Sequence, residues 1–495
     1  MHLKLDYGPD IKLYLLLDKL YQTKHNIIKF QILKLKLYFS DVYKSIIEVF
    51  YFEGDILLTA DLAWIITANM GLGHQRATYP LRDAAADRIF LFGEDFVKST
   101  SEKRLWGLLQ DFYESLSRTS EVPIIGPHMS NFLGKVQSIS PYYPFRDQSQ
   151  PSFQVKYLYS LIRKGMGSGL SSKLSTQRLP VITSFYAAAM AAEESTDLPV
   201  YCIICDADVN RAWVAKDPKK SRIIYFVPCG LAMRRLQQYG VPDERIYLTG
   251  FPLPQGNIGG LSMPILRHDL SERLIRLDPT HRFSTIHGEE VRFYLGNSEV
   301  ISDVVRPITI TYAIGGAGAQ TEIARDALYS LAPLIRSNKV RLNLVAGIRE
   351  KVYKYLLKLI DKTDLYGDRG VHIIYNPNIN EYFREFNHAL HATDLLWTKP
   401  SELSFYCGLG IPVIIAPCIG PHEVANKRWL QEIGAGIPQM DARYCGEWIT
   451  DYLVDGRLAQ AAWDGFLYAR RMGAYKIEEV LKTGSMTREI SPVKR

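Results

Sequence analysis

The chain has 495 residues, which is too long for one ordinary core and suits two domains of about 200 residues each with extensions. Its 47% hydrophobic, 12% aromatic and 22% charged residues exclude a disordered or collagen-like protein and leave material for a substantial core. The formal net charge of +7 is compatible with anionic small molecules, anionic lipid surfaces or nucleic acid and selects none of them. Six cysteines are too few for a disulfide scaffold and fit a reducing compartment. The sequence has no run of eighteen apolar residues, and its start carries Asp6 and Asp10 without a small-residue cleavage site. The expectation is a cytoplasmic protein without a transmembrane span.

Residues 1–60 read as an extension in which Phe30, Ile32, Leu35, Leu37 and Phe39 alternate imperfectly with Gln31, Lys34 and Lys36. Such a segment either caps the first domain or touches a membrane. A first Rossmann-like domain is expected over 61–255. Its buried strand Leu62–Thr67 is broken by Gly71-Leu72-Gly73-His74 and followed by a helix from Ala77 to Arg88. Further strands are expected at Pro180–Thr183, Val200–Cys205, Ile223–Val227 and Ile246–Thr249, with helices at Ala187–Glu194 and Ala232–Tyr239. Cys202 and Cys205 form a C-x-x-C inside an apolar run, with no second pair to complete a zinc set, and read as buried small hydrophobes.

Residues 256–305 are rich in Gly, Pro and charge and read as an interdomain region with one helix, Leu266–Leu277. The same alternation restarts in a second Rossmann-like domain over 306–455. Strands are expected at Ile308–Ala313, Arg341–Ala346, Val371–Tyr375, Asp394–Thr398 and Val413–Ala416. Helices are expected at Thr321–Arg336, Glu350–Ile360, Ser401–Gly408 and Val424–Ile433, and a C-terminal helix and tail fill 456–495. The fold class is α/β, with two doubly wound Rossmann-like domains facing across a cleft.

Doubly wound sheets bind ligands beyond the carboxyl ends of their strands, where helix N-termini favour anions. Gly71 and Gly73 in the first half, and Gly315, Gly316 and Gly318 in the second, are the first candidates. One glycine turn serves close packing as readily as a ligand, and two in corresponding places favour a ligand. His74 ends the first turn, where an imidazole can take a proton from a hydroxyl at neutral pH, or can merely cap the helix.

Several ordered blocks carry a more specific resemblance. They are Gly71-Leu72-Gly73-His74-Gln75-Arg76-Ala77, Asp206 with Trp213, Gly240-Val241-Pro242 through Thr249-Gly250-Phe251-Pro252, the turn at 315, Lys399-Pro400, Gly410-Ile411-Pro412, and Glu423 with Asn426. From about residue 61 to 440 the chain resembles the inverting GT-B glycosyltransferases that include the lipid-II N-acetylglucosaminyltransferase of peptidoglycan synthesis, plant monogalactosyldiacylglycerol synthases and bacterial diacylglycerol glucosyltransferases. The resemblance implies that His74 is the base that activates the acceptor, with Gly71, Gly73, Arg76, Asp206 and Asp208 on the acceptor side. It implies that Gly315, Gly316 and Gly318 hold the donor diphosphate, and that Glu423 and Asn426 grip sugar hydroxyls; Arg349 is read separately as a charge that meets the leaving diphosphate beside that turn. Asn378 to Glu381 fall where relatives hold uracil, or form an ordinary loop. Relatives carry Pro-Gly-Gly and a later helix glutamate for the ribose, whereas here Pro400 is followed by Ser401-Glu402. Glu402 either takes over the ribose contact or is a capping acid favoured by the helix dipole.

Asp206-Ala207-Asp208 has the D-x-D pattern by which metal-dependent GT-A enzymes hold a divalent cation, but a second Rossmann half has no role in that fold. The pair is read as lining the acceptor side or capping a helix. No metal and no cofactor is expected, the nucleotide-sugar donor, a UDP-sugar, being a substrate. Segment 148–192 carries Lys156, Arg163, Lys164, Lys173 and Arg178 with no acidic residue, interleaved with Tyr157, Leu158, Tyr159, Leu161, Ile162, Met166 and Leu170. It reads as a solvated basic loop or as a contact with anionic lipid. The resemblance implies a diacylglycerol-like or other lipid acceptor, peripheral contact with the inner face of the membrane, and no nucleic-acid partner. The expected reaction is hexose transfer to an acceptor hydroxyl with inversion. The alternatives are a nucleotide-sugar 2-epimerase, or a non-catalytic sugar-nucleotide-binding protein, motivated by the missing Gly-Gly and helix glutamate.

Overall fold

Short, mostly apolar strands separated by helices can bury both faces only in a parallel sheet covered on each side, and two such sheets form among the described residues. The structure, a computed structural model, describes residues 62–97, 99–108, 139–296, 306–313, 320–363, 365 and 370–489. Residues 1–60 and the turn at 315–318 lie outside the described residues, and so do the readings attached to them.

The first sheet contains β1 (Trp64–Ala68), β2 (Phe90–Phe92), β3 (Val181–Thr183), β4 (Val200–Ile203), β5 (Ile224–Phe226) and β6 (Ile246–Tyr247) in the order β2-β1-β3-β4-β5-β6. Its helices are α1 (Leu72–Thr78), α2 (Phe153–Arg163), α3 (Ser168–Leu174), α4 (Tyr186–Glu193) and α5 (Gly230–Gln238). Two helices, α6 (Pro264–Leu277) and α7 (Arg282–Leu295), precede the second sheet. That sheet contains β7 (Ile308–Ala313), β8 (Val340–Gly347), β9 (Val371–Tyr375), β10 (Leu395–Thr398), β11 (Val413–Ile415) and β12 (Gly436–Pro438) in the order β12-β11-β10-β7-β8-β9. This is the strand order of a dinucleotide-binding fold read from the other edge. Its helices are α8 (Thr321–Arg336), α9 (Glu350–Asp361), α10 (Ile379–Ala392) and α11 (Pro421–Glu432), followed by α12 (Cys445–Val454), α13 (Arg457–Tyr468) and α14 (Gly473–Thr483). All strand pairs are parallel.

Several expected elements are corrected. The glycine turn before His74 is not a break: α1 already runs from Leu72, with Gly71 at φ 104° as its N-cap, and a 3-10 turn at Tyr79–Ala84 replaces the expected later helix. The interdomain region holds α7 as well as α6. Residues 402–409 form a 3-10 helix. In segment 148–192 two helices replace a loop, and Leu158, Leu161, Met166 and Leu170 lie in the core, so these side chains are not available to a lipid surface. Cys202 and Cys205 are buried free thiols, and burial pushes both thiols up. No helix among the described residues is long and apolar enough to cross a membrane.

After the second sheet the chain returns to the first half, where Gln255 Nε2 donates to Glu478 Oε1 at 2.6 Å. The approach is close: a Cβ on Gly473 would stand 2.3 Å from the Phe251 carbonyl oxygen, whereas one on Gly256 would meet nothing within 4 Å. Backbone cannot give way as a flexible side chain can. Gly473→Ala is therefore expected to destabilise by about 1–3 kcal/mol, seen as a lowered urea midpoint, with Gly256→Ala as a near-neutral control.

Candidate functional site at the facing strand ends

In each sheet one pair of neighbouring strands sends its outgoing connections to opposite sides, leaving a crevice between them. In the first sheet this pair is β1 and β3, and in the second it is β7 and β10. The first crevice holds His74 on α1, after β1, and Ser184 directly after β3. His74 Nδ1 lies 2.6 Å from the Ser184 carbonyl oxygen. A carbonyl only accepts, so Nδ1 carries the hydrogen and Nε2 keeps its lone pair. Phe185 lies edge-on to the imidazole at 5.5 Å and Trp213 stacks on it at 6.0 Å between ring centres. Burial holds the His74 pKa below its usual value, outweighing the Ser184 carbonyl and the charges of Asp206 and Glu402, which act in the opposite sense. The imidazole is thus neutral at pH 7.

Across from it lies the second crevice. Residues 314–319, which follow β7 in the sequence and include Gly315, Gly316 and Gly318, lie outside the described residues. The β10 side begins at Lys399, whose Nζ donates to Glu423 Oε1 at 2.6 Å. Glu423 is 1% exposed, and its Oε2 accepts from the Ile419 N–H at 2.6 Å, holding the start of α11. His422 beside it is exposed, with Nε2 3.9 Å from Glu423 Oε1. Arg349 is exposed at the N-cap of α9, just beyond β8.

The halves touch through side chains the sequence had placed on opposite sides of a donor and an acceptor. Arg76, two residues after His74, is buried, and its Nε donates to Glu402 Oε1 at 3.2 Å while Nη2 donates to Tyr382 Oη at 2.9 Å. Its guanidinium also lies 4.5 Å from the Phe386 ring centre and 4.9 Å from that of Phe383. The Glu402 carboxylate therefore lies on Arg76, while Glu402 also stands in the first turn of the 3-10 helix that follows Ser401. Gly73 is glycine for the same reason: a Cβ there would stand 3.0 Å from Glu402 Oε2. Asn426 Nδ2 donates to Asp206 Oδ1 at 2.8 Å, and its Oδ1 accepts from the Ala207 N–H at 2.7 Å.

Asp208 does not share this position. It forms a buried bidentate pair with Arg235, at 2.7 and 2.8 Å. Among the described residues no three His, Cys, Asp or Glu side chains gather as a metal site. Asn378 caps α10 by accepting from the N–H groups of Asn380 and Glu381, and Glu381 pairs with Arg384. Sequence reasoning missed Ser184, Tyr382 and the pairing of Lys399. The position of Ser184 was findable, since it ends the strand next to β1, whereas no sequence period links Arg76 to Tyr382.

Residues 361–475 match a family model described as a domain of unknown function, DUF6938. No curated protein matches the chain in sequence. Among solved structures the chain is similar to S. aureus MnaA in a co-structure with UDP, at 11% identity over 86% of this chain and 98% of that one, with a TM-score of 0.44. It is similar to Acinetobacter baumannii MurG at 16% identity over 72% and 89%, TM-score 0.38. It is also similar to the UDP-GlcNAc 2-epimerase of Neisseria meningitidis bound to UDP-GlcNAc, at 13% identity over 66% and 80%, TM-score 0.38.

The Arg76–Glu402 pair has side chains only 3% and 11% exposed, and removing one member of such a pair strands the other. Arg76→Met is expected to cost about 3–5 kcal/mol by urea denaturation. Arg76→Met combined with Glu402→Met should recover most of that loss, because no uncompensated charge remains.

Proposed function

We propose that the protein is an inverting glycosyltransferase that moves a hexose from a nucleotide diphosphate sugar, a UDP-sugar, to an acceptor hydroxyl. The observation that carries this reading is His74: neutral, with Nδ1–H spent on Ser184 and Nε2 unprotonated, at the crevice of the first half. That is the state a general base needs at neutral pH. In the reaction Nε2 takes the hydroxyl proton while the hydroxyl oxygen attacks the anomeric carbon from the face opposite the diphosphate. The bond from that carbon to the diphosphate oxygen breaks, and the nucleoside diphosphate leaves with the electron pair. Charge developing on the diphosphate would meet Lys399, Arg349 and the N-terminus of α8, together with the turn at Gly315, Gly316 and Gly318. These groups supply positive charge without a divalent cation. The choice of UDP and of a diacylglycerol-like acceptor rests on the sequence resemblance.

One further observation favours a second reading, a 2-epimerase. His74 and Asp206 belong to the first half and Glu402 to the second, and Asp206 and Glu402 each meet a partner across the join, so titratable groups come from both halves, as proton exchange at a sugar carbon requires. Incubation of the protein with UDP-hexoses, with and without diacylglycerol, separates the two. Glycoside and free UDP are expected only with acceptor; a new epimer formed without acceptor would replace transfer by epimerisation. His74→Ala is expected to lower kcat by about 10²–10⁴-fold while UDP binding, measured by calorimetry, persists. Absence of UDP binding by the wild-type protein would defeat both readings.

The base must be unprotonated to act. Activity, measured as kcat/KM against pH, is expected to be level above neutrality and to fall on acidification through a pKa below the ordinary histidine value of 6.5. An inflection above that value would count against His74 as the base.

A further inference from the structure

Asn426 matches a sugar-gripping residue by resemblance, but its contacts indicate a different task. Its side chain is wholly buried at the join of the two halves. Both of its N–H groups are spent, one on Asp206 Oδ1 at 2.8 Å and one on the Pro400 carbonyl at 3.1 Å, and its oxygen holds the Ala207 N–H at 2.7 Å. An amide has only two N–H donors, so none is left for a sugar hydroxyl. The segments it joins flank His74 from two sides. Asp206 and Ala207 follow Cys205, whose Sγ lies 4.0 Å from His74 Nδ1. Pro400 leads into Glu402, which holds Arg76 on the helix that carries His74.

We propose that Asn426 is a positioning residue: it clasps the 205–207 segment of the first half to the 400–402 segment of the second and so sets His74 against the donor side of the cleft. This rests on the reading of His74 as the base. Asp206 is the other arm of the clasp. The second half then contributes to the base as well as to the donor site, and a molecule whose halves are apart lacks a placed base.

A clasp and a sugar contact fail differently when removed. Loss of the clasp leaves donor binding intact and misplaces the base, so kcat falls and KM does not rise. Loss of a ground-state sugar contact raises KM. Asn426→Ala is expected to lower kcat by about 10- to 100-fold with KM for the UDP-sugar within about twofold, and to enlarge the radius of gyration of the unliganded protein in solution scattering. Asp206, partly buried and safer to change, gives the second variant. Asp206→Ala should reproduce both effects, and Asp206→Asn, which keeps an oxygen for Asn426 Nδ2, should restore the wild-type radius and most of kcat. A rise in KM of about tenfold or more with kcat kept and no change in radius would overturn the clasp. If Asn426→Ala fails to fold, the two Asp206 variants decide. If the wild-type protein transfers no sugar, the glycosyltransferase reading has failed, and the radius comparison still judges the clasp: equal radii for wild type and Asp206→Ala overturn it.

Discussion

The guanidinium of Arg76 is buried between the halves of the molecule, and the site is arranged around it. It belongs to the first half, but its carboxylate partner, its phenol partner and the four aromatic rings around it, of Tyr382, Phe383, Phe386 and Tyr406, all belong to the second. Cation–ring contacts of this kind are worth roughly 0.5–2 kcal/mol each when desolvated, and together they offset part of the cost of taking a charge out of water. The match is incomplete, since Nη1 has no hydrogen-bond partner among the described residues. Arg76 sits one helical turn from the start of α1, so whatever fixes it also fixes His74. The position of the candidate base is thereby tied to a contact between residues 326 apart in sequence.

The chemistry of His74 has a more local origin. Many catalytic histidines are oriented by a carboxylate, which stabilises the imidazolium as well as the tautomer. Here a main-chain carbonyl does the orienting. It fixes the tautomer as well as a carboxylate would, but with a dipole in place of a full charge. The charges near the ring come instead from Asp206 in the first half and Glu402 in the second, and Glu402 is already engaged by Arg76. Burial therefore decides the protonation state, and it decides for the neutral form.

The sheets were largely legible in the sequence because strands buried on both faces read as continuous apolar runs. Thr321–Arg336 was legible to the residue, since Ala324, Ala327, Leu328, Leu331 and Ile335 form one apolar stripe. The helix Arg282–Leu295 was not, because only Phe283 and Leu295 of its fourteen residues are buried among the hydrophobic ones and Gly288 interrupts it. Gly71 and Gly73 looked alike on paper. Gly71 has a positive φ that suits glycine, whereas Gly73 lies within a helix and yields its space to Glu402. A tertiary contact cannot be read from a local pattern, and that limit explains Glu402 and Asn426 too. Sequence identified them as polar residues near the cleft, but their partners in the first half, Arg76 and Asp206, lie more than 200 residues away.

A site whose polar groups already have protein partners recognises ligands by exchange. On the proposed reading, a diphosphate that drew Lys399 away would leave Glu423, 1% exposed, without its counter-charge. A buried carboxylate in that state is costly unless other donors replace the ammonium. Two main-chain N–H groups at the start of α11 already donate to its Oε2, but Oε1 would keep only His422 Nε2, 3.9 Å away. Hydroxyl groups of a sugar attached to the diphosphate are donors of the right kind and would lie beside it. On that reading the pair would couple the two ends of a donor, since the phosphate would take the lysine at low cost only if the sugar satisfied the glutamate.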